Sequence, residues 1–238
     1  MKIALIGYGK MGKAIEEIAL QKGHEVLYRI DVDSMDLLDK AHLGLADAAI
    51  EFTTPDTAFD NIMKCFDAGV PVVSGTTGWL ARLDAVRRRC LEEGHAFLYA
   101  SNFSIGVNLF FEINKRLAAL MERQSQYEVS LEEIHHTQKK DAPSGTAITL
   151  AEDILQQISR KKQWVNALAT EPDKLGIVSR RIDPAPGTHV VRYTSEVDDI
   201  EIRHTAHSRK GFASGALTAA EWLVGKTGVF GMQDVLGL

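Results

Sequence analysis

The sequence predicts an α/β fold, a Rossmann-like doubly wound parallel sheet joined to a smaller α+β domain with a mostly antiparallel sheet. Three observations carry that expectation. Strand-like and helix-like stretches alternate over most of the chain as far as Ala100. A glycine-rich turn follows the first strand at once. From Gly176 strand-like stretches succeed one another with no helix between them.

Lys2–Ile6 is a short apolar run of the kind buried on both faces of a parallel sheet, and Gly7-Tyr-Gly9-Lys-Met-Gly12 follows, opening a helix through Ala14, Ile15, Ile18 and Ala19. This is the strand-turn-helix setting of a dinucleotide site. Gly7 permits the turn, Gly9 lets backbone approach a pyrophosphate, Gly12 lets helix and strand close up, and Lys10 and Met11 lie between them. Glu25–Ile30 is the second strand. Asp31 ends it, where a carboxylate accepts from both ribose hydroxyls and repels a 2′-phosphate, which favours NADH over NADPH; Lys10 and Arg29 are near enough in sequence to soften that preference. Strands then follow at Ala48–Phe52, Val70–Ser74 and Ala96–Ala100, with helices at Asp56–Ala68 and Leu80–Glu93. The turns Phe52-Thr53, Gly75-Thr76-Thr77 and Ala100-Ser101-Asn102-Phe103 fall at strand carboxyl ends, so together they outline a cofactor groove.

After Ser104 the rhythm changes. A long helix is expected over Gly106–Met121, a strand over Val129–Ile134, a helix over Ile148–Ile158, and strands over Gly176–Ile182, Thr188–Glu196 and Asp199–His207. Asn166–Leu175 is polar and helix-breaking and predicts a flexible connection. Phe212–Val224 is a last apolar helix. The expected division is a dinucleotide-binding domain of residues 1–105 and 209–238, and a substrate-binding and oligomerisation domain of residues 106–208.

The chemistry is expected between His135 and Thr146. His135 and His136 end a strand and point to opposite sides, and Lys139 follows on a loop able to fold back. Pro143 suits a helix entry, Ser144 can cap it, and the amides of Gly145 and Thr146 are unpaired first-turn donors, a site for carboxylate or phosphate. A histidine pair and a lysine alone also describe a solvated loop; the Pro-Ser-Gly-Thr turn tilts the reading, because cationic donors then converge on a helix N-terminus.

Composition narrows the alternatives. With 45% hydrophobic and 25% charged residues the chain is ordinary globular protein, and a net charge of -5 argues against a nucleic-acid surface. Cys65 and Cys90 lie far apart without metal spacing, as buried thiols of a reducing compartment do. Ile3–Ile6 is too short for a signal peptide and no run nears the roughly 20 apolar residues of a membrane span, so no membrane partner and a cytoplasmic location are expected. No metal is expected either, since adjacent strand histidines diverge and neither cysteine nor clustered carboxylate completes a zinc site from His135, His136, His204 and His207.

Several of these stretches resemble the dihydrodipicolinate reductases of bacterial lysine and diaminopimelate synthesis, also described as 4-hydroxy-tetrahydrodipicolinate reductases. The resemblance rests on Gly7–Gly12, Phe52-Thr53, Gly75–Gly78, Asn102–Asn108, His135–Thr146, Gly187–His189, and Ser208-Arg209 with Phe212-Ala213. It implies hydride transfer from NADH or NADPH to the ring imine of a cyclic dicarboxylate, with loss of water. It further implies His135 as proton donor and Lys139 as a second one, His136, Gly145 and Thr146 as carboxylate contacts with Ser144 beside them, and Asp31 as ribose ligand. Gly75–Thr77 and Ala100–Phe103 would lie on the nicotinamide side, and the protein would be a homotetramer through its second-domain sheets. Val32 stands where some relatives carry an arginine for the 2′-phosphate, and the glycine loop is one residue shorter than in many members. Two rivals remain: another two-domain dehydrogenase with a different second domain, and an NAD-sensing regulator, for which no helix-turn-helix or basic stripe is visible.

Overall fold

A computed structural model describes residues 1–208 and 210–238. Arg209, which belongs to the Ser208-Arg209 stretch and opens the expected returning segment, lies outside the described residues. The chain divides into two compact units, one made of Met1–Ile105 with Lys210–Leu238 and the other of the chain between.

The first unit begins with β1 (Lys2–Ile6), α1 (Lys10–Gln21) and β2 (Glu25–Ile30), as the periodicity predicts. Two short pieces follow that the sequence reading left unassigned. A 3-10 segment over Val32–Leu37 is capped by Asp31, and α2 (Lys40–Leu43) is capped by Asp39, whose Oδ1 accepts from the His42 amide at 2.8 Å. Then come β3 (Ala48–Glu51), α3 (Pro55–Asp67) with proline at its first position, β4 (Val72–Ser74), α4 (Leu83–Glu93) and β5 (Ala96–Tyr99).

The second unit contains α5 (Ile105–Met121), β6 (Glu128–His135), α6 (Gly145–Gln157), β7 (Gln163–Val165), β8 (Lys174–Arg181), β9 (Gly187–Thr194) and β10 (Asp199–Ala206). Its sheet runs in the order β10-β9-β6-β8-β7. It is mixed: β10, β9 and β6 pair antiparallel, while β8 pairs parallel to both β6 and β7. α6 returns the chain between β6 and the β7–β8 pair, the crossover that lets β8 run parallel to β6. The connection expected to be flexible is pinned. Its last two residues are already in β8, and the buried Lys161 ammonium donates to the carbonyls of Pro172 and Lys174, each at 2.9 Å, and pairs with Glu128. One face of the sheet is apolar at one end, where Val129, Leu131, Ile177, Val191 and Tyr193 pack under α5 and α6. Full burial of each such side chain stabilises by about 1.5–3 kcal/mol.

The chain ends in α7 (Lys210–Leu223), β11 (Gly228–Phe230) and α8 (Met232–Leu236). A three-residue strand shows no period, so neither β11 nor α8 was legible in advance. The first sheet is parallel throughout, ordered β11-β5-β4-β3-β1-β2. Ile3 and Leu5 enter a core with α1 and α7, while Ala4 and Ile6 enter another with α3 and α4, which is why these strands read as unbroken apolar runs. Because β1 lies between β2 and β3, the winding reverses there, and the glycine turn opens at that switch point.

Candidate active site

In the first unit, the glycines divide by what surrounds them. Gly7 has φ 93°, and a Cβ there would lie 1.9 Å from the Phe52 carbonyl oxygen; a Cβ on Gly12 would lie 2.4 Å from the Gly7 oxygen. Gly9 differs, because nothing lies within 4 Å of its Cβ position and, as the N-cap of α1, it supplies no side-chain cap. The first-turn amides of Lys10 and Met11 keep no intrahelical acceptor and border the open space at Gly9, which fits a pyrophosphate, while Gly12 is buried against the Gly7 turn. A cavity of about 290 Å³ spreads from Gly7 and Gly9 to Asp31 and Val32; another of about 460 Å³ extends from Lys10 and Met11 to Gly75, Thr76 and Thr77. Both are lined by Gly9, Phe52 and Thr53, as the two halves of one dinucleotide would require.

A buried carboxylate shapes the second cavity. Glu51 is fully buried at the end of β3, and its Oε1 accepts from the Thr53 amide at 3.0 Å, the Thr76 hydroxyl at 2.8 Å and the Thr53 hydroxyl. Its Oε2 accepts from Ser74 at 2.6 Å. The Phe52 ring packs on Phe103 at 5.6 Å and fills the place where Gly75 has no side chain. Asn102 Oδ1 accepts from the Ser104 amide at 2.9 Å, closing the Ala100–Phe103 turn, and Ser101 is exposed within it. At the other end, Asp31 Oδ1 accepts from the Val32 amide at 2.8 Å, while Arg29 is engaged by Glu16, to which Tyr8 also donates.

In the second unit, sheet register builds a polar cluster on the face whose other end is apolar. Glu133 of β6 lies opposite His189 of β9 and Ser179 of β8, and His135 lies opposite Arg181. Glu133 Oε2 is 3.2 Å from His135 Nδ1, an ion-pair contact out of line for a hydrogen bond, and accepts from the Ser144 amide at 3.1 Å. Glu133 Oε1 accepts from Arg181 at 3.2 Å. Burial works to raise the Glu133 carboxyl, but donors from His135, Ser144 and Ser179 outweigh it and hold the group well below the usual carboxylate range. His189 stacks edge-on against His135 with ring centres 5.1 Å apart, and its Nε2 is 3.1 Å from Ser144 Oγ. Burial, reinforced by the neighbouring His135, pushes His189 down to about 3, so it is neutral at pH 7.

Ser144 caps α6 as expected, its hydroxyl accepting from the Ala147 amide at 3.2 Å. The helix starts at Gly145, directly after that cap, and Pro143 sits just before the cap. No atom lies within 4 Å of the Cβ position of Gly145, so the turn at Gly145 and Thr146 faces open space. Lys139 Nζ pairs with Asp141 at 2.8 Å. His136 is half-buried, and the next residue, Thr137, is tied to Asp183 by its amide at 3.0 Å and its hydroxyl at 2.6 Å. Glu133, His135 and His189 bring ligand atoms within 4.8 Å of one another. Both Glu133 oxygens are already used, and the Arg181 guanidinium at that carboxylate opposes a second cation.

Residues 1–103 match the family described as dihydrodipicolinate reductase, N-terminus, and residues 106–236 match dihydrodipicolinate reductase, C-terminus. The chain belongs to the dihydrodipicolinate reductase family. It is 52% identical over 238 residues to the 4-hydroxy-tetrahydrodipicolinate reductase of Christiangramia forsetii, covering 99% of this chain and 98% of that one. It is 34% identical over 230 residues to the enzyme of that name from Neisseria gonorrhoeae, covering 94% and 84%. A dipicolinate-bound dihydrodipicolinate reductase from Paenisporosarcina sp. TG-14 shares the fold, with a TM-score of 0.76 at 24% identity over 98% of both chains.

As a member of this family the chain is an NAD(P)H-dependent oxidoreductase. Each half of the reductase brings part of its expected residue set together. Gly7, Gly9, Lys10, Met11, Gly12, Asp31, Phe52, Thr53, Gly75, Thr76 and Thr77 line the two cavities or their turns, and His135, Ser144 and Gly145 border the polar cluster. Sequence reasoning missed Glu51, Glu133 and Arg181 and gave His189 no role. A signal for Glu133 was present: alternation puts it in phase with Val129, Leu131 and His135 on the buried side of β6. No local signal marks Arg181, which reaches the cluster only through the pairing of β6 with β8.

Proposed function

We propose that this reductase converts 4-hydroxy-tetrahydrodipicolinate to tetrahydrodipicolinate in lysine and diaminopimelate synthesis, with NADH favoured over NADPH. One hydride and one proton enter and one water leaves. The observation that carries the reading is the buried His135 beside a capped helix start whose amides face open space, since a proton donor and a carboxylate cradle are what a cyclic dicarboxylate imine needs.

Bound reduced nicotinamide supplies the hydride. Gly9 and the first turn of α1 would hold its pyrophosphate, Asp31 its adenosine ribose, and Gly75–Thr77 with Ala100–Phe103 its nicotinamide half. His135 gives a proton to the nitrogen on which charge develops, with Lys139 as the second donor. His136, Ser144, Gly145 and Thr146 bind substrate carboxylate. Support for NADH comes from Asp31, from Val32 beside it, and from Arg29, whose guanidinium is committed to Glu16 and is not free for a 2′-phosphate.

We also propose a cytoplasmic homotetramer formed through the open face of the β6–β10 sheet. Two buried free thiols support the compartment, and no helix among the described residues is long and apolar enough to cross a membrane. Light scattering gives the assembly size. The activity is tested by supplying substrate from the preceding synthase and following the nicotinamide absorbance. NADH should be consumed with lower KM than NADPH; a tenfold preference for NADPH removes the assignment of Asp31, and no consumption of either removes the activity.

A further inference from the structure

We propose that Glu133 is the positioning residue of the acid–base step: it holds the Nδ1 edge of His135 toward itself, leaves Nε2 as the proton-giving atom, and ties the carboxylate-binding turn and the Lys139 loop to the same point. This rests on the reading of His135 as proton donor.

Three lines of contact meet at one carboxylate. Oε2 faces His135 Nδ1 at 3.2 Å and accepts from the Ser144 amide, the residue that starts α6. Oε1 accepts from Arg181, whose Nη2 also donates to the Asp141 carbonyl at 2.5 Å and whose Nε donates to the Lys139 carbonyl at 3.3 Å. Donor, cradle and lysine loop thus share one anchor, which is itself fully buried.

The contact also fixes which nitrogen reacts. A bare lone pair on Nδ1 facing a carboxylate oxygen at this distance would be repelled, so Nδ1 carries hydrogen in both charge states of the ring. Nε2 is left for the substrate. A Cβ on Gly187 would stand 3.1 Å from that atom, and glycine leaves the approach uncovered. The step balances: the ring hydroxyl leaves as water with a neighbouring hydrogen and conjugates a C=C to the C=N, hydride adds to the far carbon of that system, and the π electrons shift to nitrogen. Nitrogen takes the Nε2 proton, and the enamine returns to the ring imine by proton transfer to carbon, leaving His135 neutral with Nδ1–H toward Glu133. The other titratable or charged groups around the ring are His189 on β9, Arg181 on β8, His204 on β10 behind His189, and Lys139 with Asp141 in the loop.

In the wild-type enzyme, nitrogen-15 NMR of labelled histidine should show neutral His135 protonated on Nδ1; an Nε2–H tautomer overturns the proposal. Glu133→Gln should lower kcat about tenfold or more, with KM near that of wild type, and move the alkaline limb of kcat about one pH unit or more toward lower pH. Glu133→Asp, which keeps the charge, should return the limb toward its wild-type position. A folded Glu133→Gln enzyme with an unmoved limb overturns the proposal, and if that variant does not fold the wild-type tautomer decides. His135→Gln separates the two readings. If it keeps wild-type kcat, the donor assignment itself falls; if it loses kcat while Glu133→Gln keeps its limb, only the role of Glu133 falls.

Discussion

Glu51 and Glu133 are both fully buried and both stand at or near the carboxyl end of a strand. Their partners differ in kind. Among the described residues Glu51 accepts from an amide and three hydroxyls, those of Thr53, Ser74 and Thr76, and so shapes two turns. Glu133 faces a guanidinium and an imidazole as well as an amide. Burial alone therefore does not mark a carboxylate as part of the chemistry; the charge and titratability of its partners do.

The largest expected effect separates the acid–base cluster from its surroundings. His135→Gln should lower kcat by about 10²–10⁴, or about 3–5 kcal/mol of barrier, with little change in KM. Steady-state kinetics that moved only KM would make His135 a binding residue. Gly187→Ala should come next, because its backbone needs no left-handed φ and the added methyl meets little but His135. Overpacking of about 1–3 kcal/mol should appear as lower kcat together with a lower melting temperature. Unchanged kcat would show that the Nε2 edge is not the reacting one.

Glu51→Gln should act on cofactor binding instead. Losing one acceptor position loosens the Thr53 and Thr76 turns, and KM for NADH should rise about tenfold. An equal rise in the KM of the dicarboxylate would erase the distinction between the two carboxylates.

The smallest effect is on stability against pH. His189 titrates near 3 in the folded chain and near ~6.5 unfolded. Between those values the unfolded chain binds a proton that the folded chain refuses, so stability falls as pH drops through that window. Asp153, pushed up to about 6 by burial, works in the opposite sense between about 6 and ~3.9. Urea melts of wild type and His189→Asn at pH 7 and pH 5 isolate the histidine: the wild type should lose more stability on acidification than the variant.

Much of the first unit was legible because its strands are continuous apolar runs and its turns carry glycines whose neighbours leave no room for a side chain. The capped start of α6 was legible from Pro-Ser-Gly-Thr. What stayed hidden depends on pairing at long range. The contact between Glu133 and Arg181 exists because β8 lies parallel to β6, and a run of bare strand stretches in sequence gives no register between them. β7 and β11 have three residues each, too few for a period to show.

The most direct test puts Glu51→Gln and Glu133→Gln side by side in the synthase-fed assay and records kcat against pH at saturating cofactor and substrate. Glu133→Gln should lower kcat and draw the alkaline limb to lower pH, while the limb of Glu51→Gln stays with that of wild type. Two variants with the same limb would contradict the account.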